Sequence, residues 1–178
     1  GGSVKDTAQA ANLLNCHGGE ILDYVTAPIG RAKQGPGPLL PHIACPTTSG
    51  TGAETTGIVV LDIEEVGLKS GISSPHLKPN HAIVDPETTL TLPSVVIAST
   101  GFDVLTHAVE SYVARPYTSS DRPLNPSLRM GYQGATPYND IGALAAIRIG
   151  GKYLLRAVQN DQDEEARYQL MFAATLAG

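Results

Sequence analysis

The amino-acid sequence predicts an α/β segment followed by an all-helical segment. Short β-rich runs alternate with turn residues as far as Leu92. From Pro93 onward, apolar residues recur at the three- and four-residue spacing of amphipathic helices. A chain of 178 residues suffices for one sizeable domain or two small ones. We therefore expect a domain boundary near Leu92, which separates residues 1–92 from residues 93–178.

The composition excludes several kinds of partner. The net charge is −5, from 12 Lys and Arg against 17 Asp and Glu, and no basic stripe suggests nucleic acid. No apolar run approaches the ~18 residues of a membrane span. Cys16 and Cys45 form no CxxC pair, so we interpret them as free thiols. No targeting segment is recognisable, and both ends interrupt predicted structure, so we expect an internal piece of a longer protein.

The first candidate binding motif is a glycine turn before a helix. Gly1, Gly2 and Ser3 directly precede a helical pattern that contains Asp6. The free N–H groups at a helix start favour an anion, and glycines let a phosphate come close to the backbone. A plain capping role for these glycines explains the pattern equally well.

The second candidate motif is a run of hydroxyl and glycine residues. Residues 43–45 predict a short strand, and residues 47–54 follow it with the sequence TTSGTGAE. Small side chains and many N–H and O–H donors at a strand end suit a polyphosphate or a ribose. The spacing of a P-loop is absent. The alternative is a solvated Ser/Thr loop. Two further strands are expected at residues 57–62 and 81–85, with Lys69 between them.

The third candidate motif lies on the first helix of the second half. We predict helices at residues 94–113, 140–159 and 164–176, and a long loop at residues 115–137. Asp103 and His107 are four residues apart, which places their Cβ atoms about 6 Å apart on one helix face. A carboxylate and an imidazole at this spacing can hold one divalent metal. Two ligands do not complete a site.

These three motifs, in this order, resemble those of the iron-containing (group III) alcohol dehydrogenases. The resemblance covers essentially the whole chain and is closest to the hydroxyacid-oxoacid transhydrogenase branch, which is mitochondrial in animals. The residues that indicate this branch are 22–25, 27–30, 125–126, 132–134 and 137. The resemblance implies a dehydroquinate synthase-like fold, with an α/β nucleotide-binding segment followed by an all-helical metal-binding domain.

The resemblance also implies which residues bind cofactor and metal. The expected NAD-binding residues are Gly1, Gly2, Ser3, Asp6, Thr47, Thr48, Ser49, Gly50, Thr51 and Lys69. The family metal, Fe²⁺ or Zn²⁺, is held by one Asp and three His. Asp103 and His107 match two of these ligands, and the other two are absent from this chain. His17, His42, His76 and His81 lie in the α/β half and are expected to be exposed or satisfied in the core.

The implied reaction is hydride transfer from 4-hydroxybutyrate to 2-oxoglutarate through bound NAD. The metal would act as a Lewis acid and NAD would carry the hydride. Because both substrates are carboxylates, a cationic partner is expected, and Arg115, Arg129 and Lys152 are candidates.

The alternatives are a plain NAD-dependent alcohol or lactaldehyde dehydrogenase, a zinc-dependent glycerol dehydrogenase or dehydroquinate synthase, and an inactive fragment. The expected partners are small hydroxyacids and oxoacids, without nucleic acid or membrane. The resemblance also leaves room for a homo-oligomer and implies a mitochondrial location.

Overall fold

The computed structural model describes residues 2–35, 37–119, 121–125 and 132–178. They form two compact units. The α/β unit contains the chain up to Cys45 together with Ala53–Ile83, and the helical unit contains Pro46–Gly52 and Val84–Gly178. Residues 47–52 of the hydroxyl-rich segment (residues 47–54) therefore belong to the helical unit, whereas Ala53 and Glu54 belong to the α/β unit. The assignment of residues 1–92 to NAD and 93–178 to metal stays a prediction.

The α/β unit contains two helices and two small sheets. The helices are α1 (Gly2–His17) and α2 (Ile21–Tyr24). The strands are β1 (Ile43–Ala44), β2 (Ile58–Ile63), β3 (Leu68–Ser73) and β4 (His81–Ala82). Strand β1 pairs in parallel with β4, and β2 pairs antiparallel with β3. The expected strands are present, whereas the sequence did not predict β3.

Helix α1 closes the outer edge of β2 with two charged side chains. Lys5 Nζ donates to the Ile58 carbonyl oxygen at 2.7 Å, and the Asp6 carboxylate accepts from the Val60 N–H at 3.1 Å. Lys5 and Asp6 also form an ion pair of 2.8 Å. Apolar side chains from the helices, from the β2–β3 hairpin and from residues that follow them make the core beneath: Ala10, Leu13, Tyr24, Val25, Val59, Ile63, Ile72 and Leu77.

The helical unit packs three long helices together. They are α3 (Ser94–Val113), α4 (Pro137–Gln159) and α5 (Glu164–Ala177). Two have N-caps, because Thr136 Oγ1 accepts from the Asn139 N–H at 3.1 Å and Asp163 Oδ1 accepts from the Ala166 N–H at 3.0 Å. Helix α3 has the expected bounds. Helix α4 starts three residues before the predicted position, because Thr136 caps it and Pro137 suits its first turn.

Two glycines let α3 and α4 cross closely. A Cβ added at Gly150 of α4 would lie 2.5 Å from Leu105 Cδ2 of α3. A Cβ added at Gly101 of α3 would overlap Leu154 Cδ1 of α4. On each of the two helices, a leucine of the other helix therefore packs against a glycine. Since Gly101 and Leu105 lie within two residues of Asp103, this crossing fixes the helix turn that carries the candidate metal ligands.

A charged cluster joins the end of α4 to the start of α5. Arg156 donates to Asp163 through Nε at 2.9 Å and to Glu165 through an Nη nitrogen at 2.7 Å. The hydrogen bond from Arg156 is the main cause of the lowered pKa of both Asp163 and Glu165.

Among the residues described, no helix has the length and hydropathy needed to cross a membrane.

Candidate functional site

The candidate metal ligands project from one side of α3. His107 Nε2 lies 3.6 Å from Asp103 Oδ1, and the side chains are 35% and 37% exposed. Val104 and Ala108, the residues that follow each of them, are fully buried. Helical periodicity therefore keeps the pair at the edge of the packed face, where the two side chains converge and remain partly exposed.

The geometry of this pair fits two positions of a metal site. Two ligand atoms on a tetrahedral ion with bonds near 2.1 Å are separated by about 3.4 Å. The observed separation of 3.6 Å is close to this value. His107 Nδ1 is buried and has no hydrogen-bond partner among the described residues. A metal on Nε2 would put the proton on Nδ1, a position that an outer acceptor normally satisfies.

The described residues contain no cluster of three or more His, Cys, Asp or Glu side chains that could hold a metal. Asp103 and His107 thus supply two donors and no third donor joins them within the described ranges. His76 and His81 are exposed, and His17 and His42 are half-buried. Burial is the main cause of a lowered pKa at His42, and the charge of Lys5 adds to it. These four histidines behave as the sequence suggested.

The hydroxyl-rich segment packs directly against helices of its own unit. Ser49 and Gly50 are buried, Thr48 and Thr51 are half-buried, and Thr47 is exposed. The buried Ser49 hydroxyl donates to the Met171 sulfur at 3.7 Å. Part of the serine and glycine content of this segment therefore serves packing.

The other predicted cofactor-binding residues, at the start of α1, lie in the α/β unit. Gly2 begins α1 and Ser3 is exposed in its first turn, which contains no acidic residue. An anion is therefore not repelled there. Asp6 is only 7% exposed, and its carboxylate binds Lys5 and the Val60 N–H. A direct contact from Asp6 to a cofactor stays a prediction. Gly1 lies outside the described residues.

Lys69 is an exposed residue on β3. Its Nζ lies 3.5 Å from Asp62 Oδ1, and the two residues are partners across the hairpin. Their side chains are 75% and 70% exposed, so the pair contributes little to stability. Lys69 can therefore move to an anionic ligand at small cost.

Two of the three cationic candidates can be located. Arg115 and Lys152 are both exposed in the helical unit. Lys152 Nζ lies 4.6 Å from the centre of the Tyr153 ring, and its interaction with Tyr153 raises the pKa of the lysine. Neither residue is singled out as a substrate ligand by its contacts. Arg129 lies outside the described residues.

The contacts of the hydroxyl-rich segment involve residues that sequence reasoning missed. They are Thr100 on α3 and Met171 and Ala174 on α5. All three lie about 50 residues or more from the segment along the chain, so no local pattern marks them. Lys5 was also missed, although its position beside Asp6 in the first motif was a usable signal.

Comparison with known proteins identifies relatives over the whole chain. The sequence model of the iron-containing alcohol dehydrogenase family matches residues 1–86. The chain is 51% identical to the mitochondrial hydroxyacid-oxoacid transhydrogenase of Xenopus tropicalis over 180 residues, covering 100% of the chain and 39% of that protein. The rat enzyme of the same name is 52% identical, with 100% and 38% covered. The chain thus spans about two fifths of these relatives.

A solved structure gives the same result for the fold. Sulfoacetaldehyde reductase from Bifidobacterium kashiwanohense, in complex with NAD⁺, is 36% identical and has a TM-score of 0.83. The match covers 99% of this chain and 41% of that chain. The expected fold, an α/β segment followed by helices, is confirmed. Taken with the family match over residues 1–86 and the identity along the full sequence, this structural likeness shows that the chain is similar to the iron-containing alcohol dehydrogenases in both sequence and fold.

Proposed function

We propose that this chain is part of a hydroxyacid-oxoacid transhydrogenase. The enzyme moves hydride from 4-hydroxybutyrate to 2-oxoglutarate through NAD that stays bound, and yields succinate semialdehyde and 2-hydroxyglutarate. The observation that carries this proposal is the Asp103–His107 pair at 3.6 Å, in a chain about half identical to transhydrogenases over its whole length. The cofactors are NAD and Fe²⁺ or Zn²⁺.

Different residues of this chain would bind the metal and NAD. Asp103 and His107 would hold the metal, which as a Lewis acid favours the alkoxide form of a hydroxyl substrate. Thr47–Thr51 offer hydroxyl and N–H groups to NAD, and Gly2 and Ser3 offer the start of α1 to its phosphates. Lys69 supplies a positive charge for the same anionic cofactor. The protein orients the reactants, while the hydride chemistry belongs to NAD.

The partners are small hydroxyacids and oxoacids. Their carboxylates require a cation, for which Arg115 and Lys152 are available on the helical unit. The two curated relatives described above are named as mitochondrial, and we assign the same location here. A homo-oligomer of the complete gene product is compatible with this function.

Turnover without free NAD tests the reaction. The complete gene product is given 4-hydroxybutyrate and 2-oxoglutarate with no added NAD, and 2-hydroxyglutarate is measured. Steady product formation is expected. A strict requirement for free NAD would refute the transhydrogenase assignment and favour a plain alcohol or lactaldehyde dehydrogenase.

His107→Gln should lower metal content and turnover at least a hundredfold, whereas the matched control His76→Gln should leave both unchanged.

The 178 residues by themselves are expected to be inactive. Only two metal donors converge among the described residues. The outer side of α3 also carries exposed apolar residues, since Phe102 is 64% and Val113 is 70% exposed. We therefore expect weak metal binding and a tendency to aggregate. Size-exclusion chromatography with metal analysis tests this expectation, and a monomer with one tightly bound metal would contradict it.

A further inference from the structure

One contact of the helical unit joins the hydroxyl-rich segment to the helix that carries Asp103 and His107. A Cβ added at Gly50 would lie 2.8 Å from Thr100 Cβ and 3.2 Å from Thr100 Cα. The φ angle of Gly50 is outside the left-handed region, so its backbone conformation does not require glycine. Gly50 is therefore needed for space, because helix α3 approaches its backbone closely.

Thr100 presents a fixed surface to Gly50. Its Oγ1 donates to the Val96 carbonyl oxygen at 2.9 Å, which fixes the rotamer of this β-branched side chain. Thr100 lies three residues before Asp103, and Asp103 lies four before His107. These spacings place all three side chains on one face of α3. Gly50 consequently rests one helical turn from the candidate metal ligands.

Helix α5 holds the same segment from a second direction. The Ser49 hydroxyl bonds the Met171 sulfur at 3.7 Å. Gly52 has a φ of +55°, and a Cβ there would lie 2.5 Å from the Ala174 carbonyl oxygen. The segment is therefore clamped between two helices, and its distance from Asp103 is determined mainly by the Gly50–Thr100 contact.

We propose that Thr100 is a positioning residue for hydride transfer. It sets the separation between the segment that lines NAD and the helix face that holds the metal, without touching either reactant. This inference rests on the proposed function. Its physical basis is that hydride transfer needs the donor and acceptor carbons within a narrow range, where a displacement of about 1 Å costs up to a hundredfold in rate.

The test forces the contact apart by one carbon atom. Gly50→Ala is made in the complete gene product, with Gly37→Ala as the loop control, since nothing lies within 4 Å of a Cβ at Gly37. Paramagnetic relaxation of the nicotinamide protons by bound Mn²⁺ reports their distance. We expect Gly50→Ala to weaken this relaxation and to lower kcat roughly tenfold to a hundredfold. The Kd for Mn²⁺ should change less than threefold.

A compensating variant separates positioning from general damage. Thr100→Gly removes the obstructing Cβ, so Gly50→Ala/Thr100→Gly should recover most of the relaxation and kcat. If Gly50→Ala does not fold, Thr100→Gly alone opens a gap in the same contact and should also change the relaxation.

Three results would overturn the inference. The first is unchanged relaxation and kcat in a folded Gly50→Ala protein. The second is the absence of rescue in the double variant. The third, used where Gly50→Ala does not fold, is an unchanged Thr100→Gly protein. A wild-type protein that binds neither NAD nor Mn²⁺ would instead refute the proposed function and, with it, the inference.

Discussion

Replacing Gly150 with alanine should loosen the crossing of α3 and α4. The added Cβ would lie 2.5 Å from Leu105 Cδ2 and 3.1 Å from Leu105 Cγ, both well inside contact distance. Leu105 packs against the core cluster that includes Ile97, Tyr153 and Leu154. The leucine therefore has little room to move aside, and part of the strain must be taken up by the helix crossing.

The size of the effect follows from two opposing terms. Overpacking a well-filled core costs about 1–3 kcal/mol. Alanine in place of glycine in a helix gains about 1 kcal/mol. Gly151, the next residue of α4, has nothing within 4 Å of an added Cβ and therefore shows the second term alone. Gly150→Ala should accordingly be about 1–3 kcal/mol less stable than Gly151→Ala.

The measurement is urea unfolding of the complete gene product, followed by far-ultraviolet circular dichroism. The transition midpoints of the two alanine variants are compared at equal m-values. Equal stability of Gly150→Ala and Gly151→Ala would refute the close crossing. In a Leu105→Ala background the obstacle is gone, so Gly150→Ala should become neutral or stabilising.

Three further changes have distinct expected results. Gly52→Ala should destabilise the protein more than Gly67→Ala in thermal unfolding, by roughly 1–3 kcal/mol. The φ angles of Gly52 and Gly67 are similar, at +55° and +63°, but only a Cβ at Gly52 would meet backbone, the Ala174 carbonyl oxygen at 2.5 Å. The hydrogen bond from Arg156 lowers the pKa of Asp163 from 3.8. The ionised Asp163 carboxylate therefore stabilises the folded state above about pH 4, and this contribution is lost as pH falls through the lowered pKa. Arg156→Ala should therefore flatten the acid side of the profile of stability against pH, and an unchanged profile would contradict this role of Arg156 in the charged cluster. Lys69→Ala should change unfolding by less than about 0.5 kcal/mol but weaken NAD binding roughly tenfold or more in calorimetry. Unaltered NAD affinity would remove Lys69 from the cofactor site.

Local sequence signals predicted the helices well and one strand poorly. Helix α3 has the predicted bounds, because Pro93 precedes a long amphipathic pattern. Strand β3 was missed, since its sequence LKSGIS has one well-buried apolar residue, Ile72. It is a strand because its backbone pairs with β2, and Gly71 is accommodated beside the Val59 carbonyl. Pairing of this kind is decided by the partner strand and not by the propensity of β3 itself.

In the candidate site, too, local sequence predicts some features and packing determines others. Asp103 and His107 could be paired from sequence because a helix brings residues four apart together. The position of Gly50 against Thr100 could not, since it depends on packing between residues 50 apart. The sequence predicts that the glycines of residues 47–54 belong to a ligand-binding loop, and this stays a prediction. Packing gives Gly50 and Gly52 a second role that no local pattern marks, since they admit helices α3 and α5. Ser49 already donates its hydroxyl to the Met171 sulfur, and the role of the segment in NAD binding stays a prediction.

The contact of α1 with β2 has a consequence for self-association. An unpaired strand edge offers a template on which another chain can add a strand. Here the outward carbonyl of Ile58 and the outward N–H of Val60 are already occupied by Lys5 and Asp6. These two side chains take the place of a neighbouring strand and block that template. Lys5 and Asp6 thereby block the addition of a strand at this part of the β2 edge.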